Sequence, residues 1–280
     1  TSLWFSTSLI AERRSWMQDN LPALQAKTLR GLTLPASHDS GIRDFDLRPG
    51  WAGIGFYIFH GEILGPPLAD VLADIQRFME EGHRELIILK FSHFKDIDDA
   101  LHPDLVAMIR DVLHPWLLPS LPEHQRLADI PLGQLIAQSG VVLPVCSGAL
   151  PVNHAAEGIW VYRDWDSKDP EAGHLCVHDR YSDTTSYSEM KGDQINEFQT
   201  FEGQCQENPR VPCDLFLLSW TLTPITHVWK TCKEANLNLG AEIAHLDVPN
   251  SQGLIANLIY VDDVETARVT DVAILQNDLG

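Results

Sequence analysis

The sequence predicts one α/β domain, an eight-stranded parallel barrel with helices around it. Strand-like apolar runs alternate with helical segments along most of the 280 residues, a pattern typical of parallel sheets with crossover helices. About eight such runs can be counted, and a (β/α)₈ barrel commonly needs about 250 residues. We find no internal repeat or linker, and therefore expect a single domain over residues 1–280, with residues 1–27 as an N-terminal helical cap.

The first half of the chain contains four predicted strands. Apolar side chains at i, i+3, i+4 and i+7 predict a helix after Pro66-Pro67, and the same spacing predicts another over 101–113. The run at 85–91 is apolar almost throughout, as in a strand buried on both faces. The predicted strands are a first run from residue 28 to His38, then 42–47, 56–59 and 85–91.

The second half continues the alternation with four more strands. The sixth strand has two candidates, 159–162 and 175–178, and the residues alone do not choose between them. A helix is expected from residue 225 to 234 or beyond. The other predicted strands are 141–145, 214–220 and 258–262.

The connection between the first two strands is too short for this scheme. Ser40 is followed at once by Gly41, whereas a parallel crossover needs about 10–12 residues. Either these strands are antiparallel, or a segment between Ser40 and Gly41 is absent from the sequence. We favour the second explanation, which an intact mass well above 31.4 kDa would support.

The composition limits the partners and the compartment. A net charge of −19 argues against binding nucleic acid or docking on anionic lipid through basic residues, so any membrane contact would use apolar and aromatic side chains. No cysteine or histidine set has zinc spacing. Cys205 and Cys213 flank a short polar loop that could close a disulfide. With the missing initiator Met, this pair leads us to expect a secreted protein, and we also expect a monomer.

Polar residues follow the predicted strands where barrels hold their chemistry. His38 and His60 end two strands, and Arg48 ends a third. Phosphodiester cleavage needs a general base, a general acid and a cation for the non-bridging oxygens, and histidine suits both proton roles near neutral pH. Asp39 or Asp262 could fix a histidine tautomer. These residues predict phosphodiester chemistry without a metal.

Seven motifs in family order resemble the bacterial phosphatidylinositol-specific phospholipases C and their eukaryotic X-domain relatives, with the stronger likeness to bacterial members. Any one motif alone is weak, but together they run from about residue 28 to 275. The motifs are ASHDS at 36–40, GIRDFDLR at 41–48, FHG at 59–61, ELIILKFSHF at 85–94, VHDRY at 177–181, LSWTLTP at 218–224 and IYVD at 259–262.

The resemblance implies a distorted (β/α)₈ barrel and a role for each matched residue. His38 would be the general base and His60 the general acid, with Asp39 as the carboxylate partner of His60 and Asp262 as that of His38, a role for which Asp263 competes. Arg48 falls where metal-independent members carry an arginine. The products would be diacylglycerol and inositol 1,2-cyclic phosphate. The implied substrate-binding residues are Asp179, which binds inositol hydroxyls, Tyr181, which stacks beneath the sugar, Lys90, and Trp220 at the barrel top.

The sequence also departs from the family and leaves two alternatives open. The membrane-contacting helix that relatives carry between the first two strands is missing, and Cys146 stands near the position of an inositol-binding arginine. A calcium-dependent phosphodiesterase could recruit Asp39, Asp44, Asp46 and Glu62 as oxygen ligands. A non-catalytic module that binds inositol lipids is the alternative outside the enzymes.

Overall fold

A computed structural model of the chain contains a closed eight-stranded parallel barrel. None of its described helices is long and apolar enough to cross a bilayer. The structure describes residues 14–37, 43–122, 125–147, 154–167, 169, 172–207, 212–224, 231–246 and 254–279.

Within these residues the strands follow the predicted alternation with helices. The strands are β1 (Leu34–Ser37), β2 (Asp44–Leu47), β3 (Pro49–Trp51), β4 (Phe56–His60), β5 (Ile63–Pro67), β6 (Leu86–Phe91), β7 (Val141–Ser147), β8 (Trp160–Asp164), β9 (Leu175–Arg180), β10 (Leu215–Trp220) and β11 (Leu258–Val261). The helices are α1 (Trp16–Asp19), α2 (Leu21–Leu24), α3 (Leu68–Glu80), α4 (His102–Leu113), α5 (Leu132–Leu135), α6 (Tyr187–Glu207), α7 (Lys233–Leu246), α8 (Val264–Ala267) and α9 (Val269–Gln276).

The set of barrel strands differs from the predicted set at two places. The order around the barrel is β1-β11-β10-β9-β8-β7-β6-β2, and every neighbouring pair is parallel. The predicted third strand is β4, which belongs to a separate antiparallel sheet β3-β4-β5. Both candidates for the sixth strand are barrel strands, β8 and β9. The count of eight was therefore right, although one predicted member was wrong.

The short connection after β1 joins two parallel strands. Ala36 pairs with Asp44 and Ser37 with Phe45, so the antiparallel alternative is wrong. Only residues 38–43 separate the strands, and 38–42 lie outside the described residues. The absence of a segment at this point stays a prediction.

The N-terminal elements are shorter than predicted. Residues 14–27, the described part of the cap, form α1 and α2 rather than one helix, and Pro22 stands in the first turn of α2, where its missing N–H is tolerated. Leu29–Gly31 is a 3₁₀ turn, so β1 begins only at Leu34. Of the helix expected from residue 225, residues 225–230 lie outside the described range.

Two apolar shells hold the barrel together. On β6, Leu86 and Ile88 point into the barrel core, whereas Ile87, Leu89 and Phe91 pack outward. The outward shell includes the buried stripe of α3 at the predicted spacing. Fully burying each such side chain stabilises the fold by about 1.5–3 kcal/mol.

The alternation on β6 also explains the polar end of the barrel. Successive strand side chains point to opposite faces, so the inward series that starts with Leu86 and Ile88 continues with Lys90 and Ser92 at the carboxyl end, where both line a cavity. Beside β10, a disulfide joins Cys205 of α6 to Cys213, with 5.8 Å between the Cα atoms. This confirms the predicted pair.

Candidate active site

A cavity of about 860 Å³ opens at the carboxyl end of the barrel. Most residues of its lining are of polar or charged type, and they come from the ends of several strands and from β4. The active sites of such barrels lie at this end because the connecting loops can vary without disturbing the core. Six of the predicted site residues that the structure describes meet here: Arg48, His60, Lys90, Asp179, Tyr181 and Asp262.

Arg48 is held by carboxylate and backbone contacts at the exit of β2. The Arg48 guanidinium donates through Nε to Asp46 Oδ2 at 3.0 Å, and Ser92 Oγ donates to Asp46 Oδ1 at 2.5 Å. Asp46 is buried and Arg48 partly exposed. The cation is therefore fixed at the cavity with part of its surface open to an anion.

His60 reaches the cavity from outside the barrel. It ends β4, and the neighbouring Phe59 N–H donates to the carbonyl of Arg48 at 2.8 Å. This backbone bond ties β4 to the end of β2 and brings His60 to the cavity wall, where it is exposed. A ring that both lines the cavity and reaches solvent is suited to exchange a proton with a bound ligand.

The other predicted histidine and its neighbour lie outside the described residues. These residues are His38 and Asp39. The last described residue before them, Ser37, pairs with Val261, which directly precedes Asp262.

Asp262, rather than Asp263, faces the cavity. Asp262 is buried, lines the cavity and accepts a hydrogen bond from the Leu222 N–H at 3.2 Å. Asp263 is instead the residue before α8, with a left-handed backbone at φ 51°. The chain turns between the two, and only the first carboxylate is directed at the site.

A second anchored carboxylate lies across the cavity on β9. Lys90 Nζ is 2.5 Å from Asp179 Oδ2, and the Tyr162 hydroxyl donates to the same oxygen at 2.6 Å. Burial works to lower the pKa of Lys90, but the carboxylates of Asp179 and Asp46 outweigh it and raise that pKa. Burial also raises the pKa of Tyr162 well above its ordinary value, with Asp179 adding to the shift. Lys90 is therefore charged and Tyr162 neutral at neutral pH.

Tyr181 and Trp220, both predicted to contact substrate, have opposite environments. Tyr181 follows β9, is 61% exposed and lines the cavity, so its ring face is available for stacking. Trp220 has no exposed surface. Its indole N–H donates to the Ala235 carbonyl at 2.9 Å, and it packs among α6 and α7 residues. The structure thus corrects the prediction for Trp220: inward Ser219 lines the cavity, and its neighbour on the strand must point outward.

Two residues that were not predicted from the sequence also line the cavity. His93 follows β6 with φ 49° and contacts Ser92 Oγ through Nδ1 at 2.9 Å. Burial, together with Arg48, lowers its pKa, so its ring is neutral at pH 7. Burial, reinforced by Asp166 and Asp179, raises the pKa of Asp164 to about 6. The strand-end position that drew attention to His60 was also a signal for His93.

Within the described ranges, no group of three histidine, cysteine, aspartate or glutamate side chains is arranged to hold a metal ion. Of the acids considered for calcium, Glu62 is 95% exposed and paired with Lys95 at 2.9 Å, and Asp39 lies outside these ranges. The described site itself combines fixed cations, anchored carboxylates and a histidine. Such a set can bind a phosphate and move protons on either side of it.

Comparison with known proteins points to one group of sequences. No family model matches the chain. PI-PLC X domain-containing protein 2 of Homo sapiens is 35% identical over 95 residues, which cover 32% of this chain and 31% of that protein. A PI-PLC X-box domain-containing protein of Dictyostelium discoideum is 25% identical over 207 residues, which cover 57% of this chain and 27% of that protein. The matches thus span about a third or less of these relatives.

Solved structures show the same fold over nearly the whole chain. The phosphatidylinositol-specific phospholipase C from Listeria monocytogenes has a TM-score of 0.56 and 16% identity, and the alignment covers 94% of this chain and 98% of that one. A variant of the Staphylococcus aureus enzyme has a TM-score of 0.61 and 12% identity, with 95% and 98% covered. At such identities the likeness shows the fold alone.

Together, these similarities support a phosphoinositide phospholipase C-like fold and a relationship to the PI-PLC X-domain proteins. The curated relatives come from eukaryotes, so the bacterial source that the motifs suggested is not confirmed.

Proposed function

We propose that this chain is a phosphatidylinositol-specific phospholipase C of the PI-PLC X-domain family that works without a metal. The observation that carries the proposal is the cavity at the carboxyl end of the barrel, in which Arg48, His60 and the Lys90–Asp179 pair meet. A cation fixed by a buried carboxylate, with a histidine on the same cavity, matches the needs of phosphodiester cleavage.

The reaction would use two histidines on opposite sides of the phosphate. His38, assigned from its motif, would take the proton of the inositol 2-hydroxyl, whose oxygen then bonds to phosphorus. The bond from phosphorus to the diacylglycerol oxygen breaks, and His60 would supply the proton for that oxygen. The Arg48 guanidinium would stabilise the charge on the non-bridging oxygens. The two products would be inositol 1,2-cyclic phosphate and diacylglycerol.

Recognition of the headgroup would fall to the β9 side of the cavity. Lys90 and Tyr162 fix Asp179 through one oxygen, and a fixed carboxylate is a good acceptor for sugar hydroxyls. The exposed ring of Tyr181 would stack on the flat face of the inositol.

Contact with the membrane would come from the turn between β4 and β5, next to His60. Ile63 and Leu64 are 69% and 54% exposed, and they pair with His60 and Phe59. Glu62 between them and His60 is paired with Lys95, so the tip is nearly neutral and suits a zwitterionic bilayer. Exposed apolar groups beside a site favour a lipid surface. We also propose that the protein is monomeric and secreted.

The test is the release of cyclic inositol phosphate from phosphatidylinositol vesicles by the wild type, His60→Ala and His38→Ala, each with and without excess EDTA. We expect EDTA-resistant activity that falls by about 10²–10⁴-fold in each variant, because each removes one proton-transfer group. His114→Ala, an exposed histidine outside the cavity, is the matched control and should keep full activity.

Two other outcomes would overturn parts of this proposal. Activity that EDTA abolishes would indicate a calcium-dependent phosphodiesterase. Vesicle binding without product would indicate a non-catalytic module for inositol lipids.

A further inference from the structure

Beneath the cavity lies a carboxyl group that the proposed mechanism does not use. Asp44 is on β2, two residues before Asp46 and therefore on the same inward face. Its side chain is buried, and among the described residues none donates a hydrogen bond to its Oδ1 atom. A backbone hydrogen bond from Phe45 acts on the carboxylate, but an ionised carboxylate with one oxygen lacking a donor is costly to bury, so the protonated form is favoured here.

Charged and titratable groups face Asp44 from several strands of the barrel. Asp46 is its neighbour on β2, Lys90 comes from β6 and Asp179 from β9. The phenols of Tyr162 on β8 and Tyr260 on β11 also interact electrostatically with Asp44. Burial raises the pKa values of both phenols well above the ordinary value, with Asp179 raising that of Tyr162 and Asp46 that of Tyr260, so they stay neutral.

Lys90, the cation named as acting on Asp44, is already engaged by other carboxylates. Lys90 Nζ is 2.5 Å from Asp179 and 3.9 Å from Asp46, while Arg48 is paired with Asp46. In this group, two cations therefore match two carboxylates. Burial raises the pKa of Asp44 to about 7, although Lys90 works to lower it. Ionisation of Asp44 within the physiological pH range would thus add a third negative charge to the floor of the cavity.

We propose that Asp44 is a positioning residue whose proton keeps the cavity floor neutral and leaves Lys90 on Asp179, the headgroup acceptor. The inference rests on the proposed function. When Asp44 ionises, it competes with Asp179 for Lys90 and adds negative charge beneath the phosphodiester anion. Substrate binding weakens as a result, while the proton-transfer groups stay in place. The loss therefore falls on KM more than on kcat.

The experiment compares the wild type with Asp44→Asn in phosphatidylinositol cleavage between about pH 6 and about pH 8. We expect KM of the wild type to rise about tenfold over this range, with kcat changing much less, and KM of Asp44→Asn to stay nearly level because its amide cannot ionise. Asp19→Asn, at an exposed carboxylate, should behave like the wild type. The same rise of KM in Asp44→Asn would overturn the proposal.

A second measurement separates this proposal from the proposed function. The infrared spectrum of the wild type should contain a protonated carboxyl band that titrates at about pH 7 and is missing from Asp44→Asn, whereas the band of Asp164, whose pKa is about 6, should be present in both proteins. Binding of inositol 1-phosphate by calorimetry should weaken over the same range only where Asp44 is present. If no variant cleaves lipid, the enzymatic function fails while these readouts still decide the role of Asp44. Should Asp44→Asn not fold, Asp44→Val replaces it, since valine suits a buried strand. A difference spectrum between the wild type and Asp44→Asn at about pH 6 that lacks a protonated carboxyl band contradicts the inference.

Discussion

Buried carboxylates at the two ends of the barrel differ in how fully they are satisfied. At the amino end, Glu85 accepts hydrogen bonds from the backbone N–H groups of Met17 and Gln18 and from the Arg43 guanidinium. Asp44, beneath the cavity, and Asp164, at the carboxyl end, each keep a buried oxygen with no donor among the described residues.

Asp214 extends the comparison at the amino end. It is fully buried and accepts from the guanidinium groups of Arg30 and Arg126 and from the Cys176 N–H. Carboxylates that only hold elements together can be saturated by the protein itself. Asp46 at the site is also hydrogen-bonded at both oxygens, but Asp44 and Asp164 keep capacity for a ligand or a proton, and the fold tolerates the cost.

The largest expected effect is on the free energy of unfolding and comes from removing a fully hydrogen-bonded carboxylate at the amino end of the barrel. Glu85→Ala should lower the free energy of unfolding by about 3–5 kcal/mol, because it leaves the buried Arg43 charge unmatched. Urea unfolding followed by circular dichroism measures the change. Glu81→Ala, at an exposed pair with Arg14, is the control and should cost less than about 1 kcal/mol. Equal losses in the two variants would contradict the contrast.

The next effect concerns Asp44, one of whose oxygens lacks a donor, and the dependence of the protein's stability on pH. The pKa of Asp44 is raised by burial from 3.8 to about 7 in the folded protein, so the folded state binds the proton more tightly than the unfolded chain. This contribution to stability is present below about pH 4 and is lost as pH rises to about 7.

Asp44→Asn should lack this loss. Its stability relative to the wild type should therefore rise by on the order of 2–4 kcal/mol between about pH 4 and about pH 8. Urea unfolding at a series of pH values measures it, and a difference that does not vary with pH would show that Asp44 is ionised throughout.

The third prediction tests whether Arg48 provides geometry as well as charge. Arg48→Lys should lower kcat by about 10²-fold, since an ammonium cannot reproduce the planar donor set of a guanidinium. The matched control is Arg163→Lys, the same substitution at another arginine that lines the cavity. A kcat for Arg48→Lys close to that of the wild type would mean that charge alone suffices at this position.

The smallest effect concerns the rim rather than the floor of the site. Replacing Ile63 and Leu64 together by serine should reduce activity on zwitterionic vesicles containing phosphatidylinositol by roughly 10-fold, about 1.4 kcal/mol of lost apolar contact. Activity on a short-chain, monomeric substrate should not change. Leu237→Ser, an equally exposed leucine on α7, is the control. Equal losses on both substrates would place the effect in the site and not in membrane contact.

Much of the fold could be predicted from periodicity. The spacing of apolar residues gave the buried stripe of α3, and the continuous apolar run gave β6, because these patterns follow from local backbone geometry. Residues at strand ends pointed to Arg48, His60 and Asp262, and the family resemblance pointed to Asp179; all four line one cavity. The parallel arrangement places all strand ends on one side, so this much of the site follows from the chain alone.

Only the tertiary structure decided which strands close the barrel and which side chains face its interior. The run that forms β4 looks like a barrel strand, yet a turn of four residues after β3 folds it into an antiparallel sheet. The alternation of side chains along a strand predicts that Ser219 and Trp220 face opposite sides, but it does not predict which of them points inward. The burial of Asp44 and its place below Lys90 likewise depend on strand pairing. Pairing and burial join residues distant in sequence, and local patterns carry no information about those contacts.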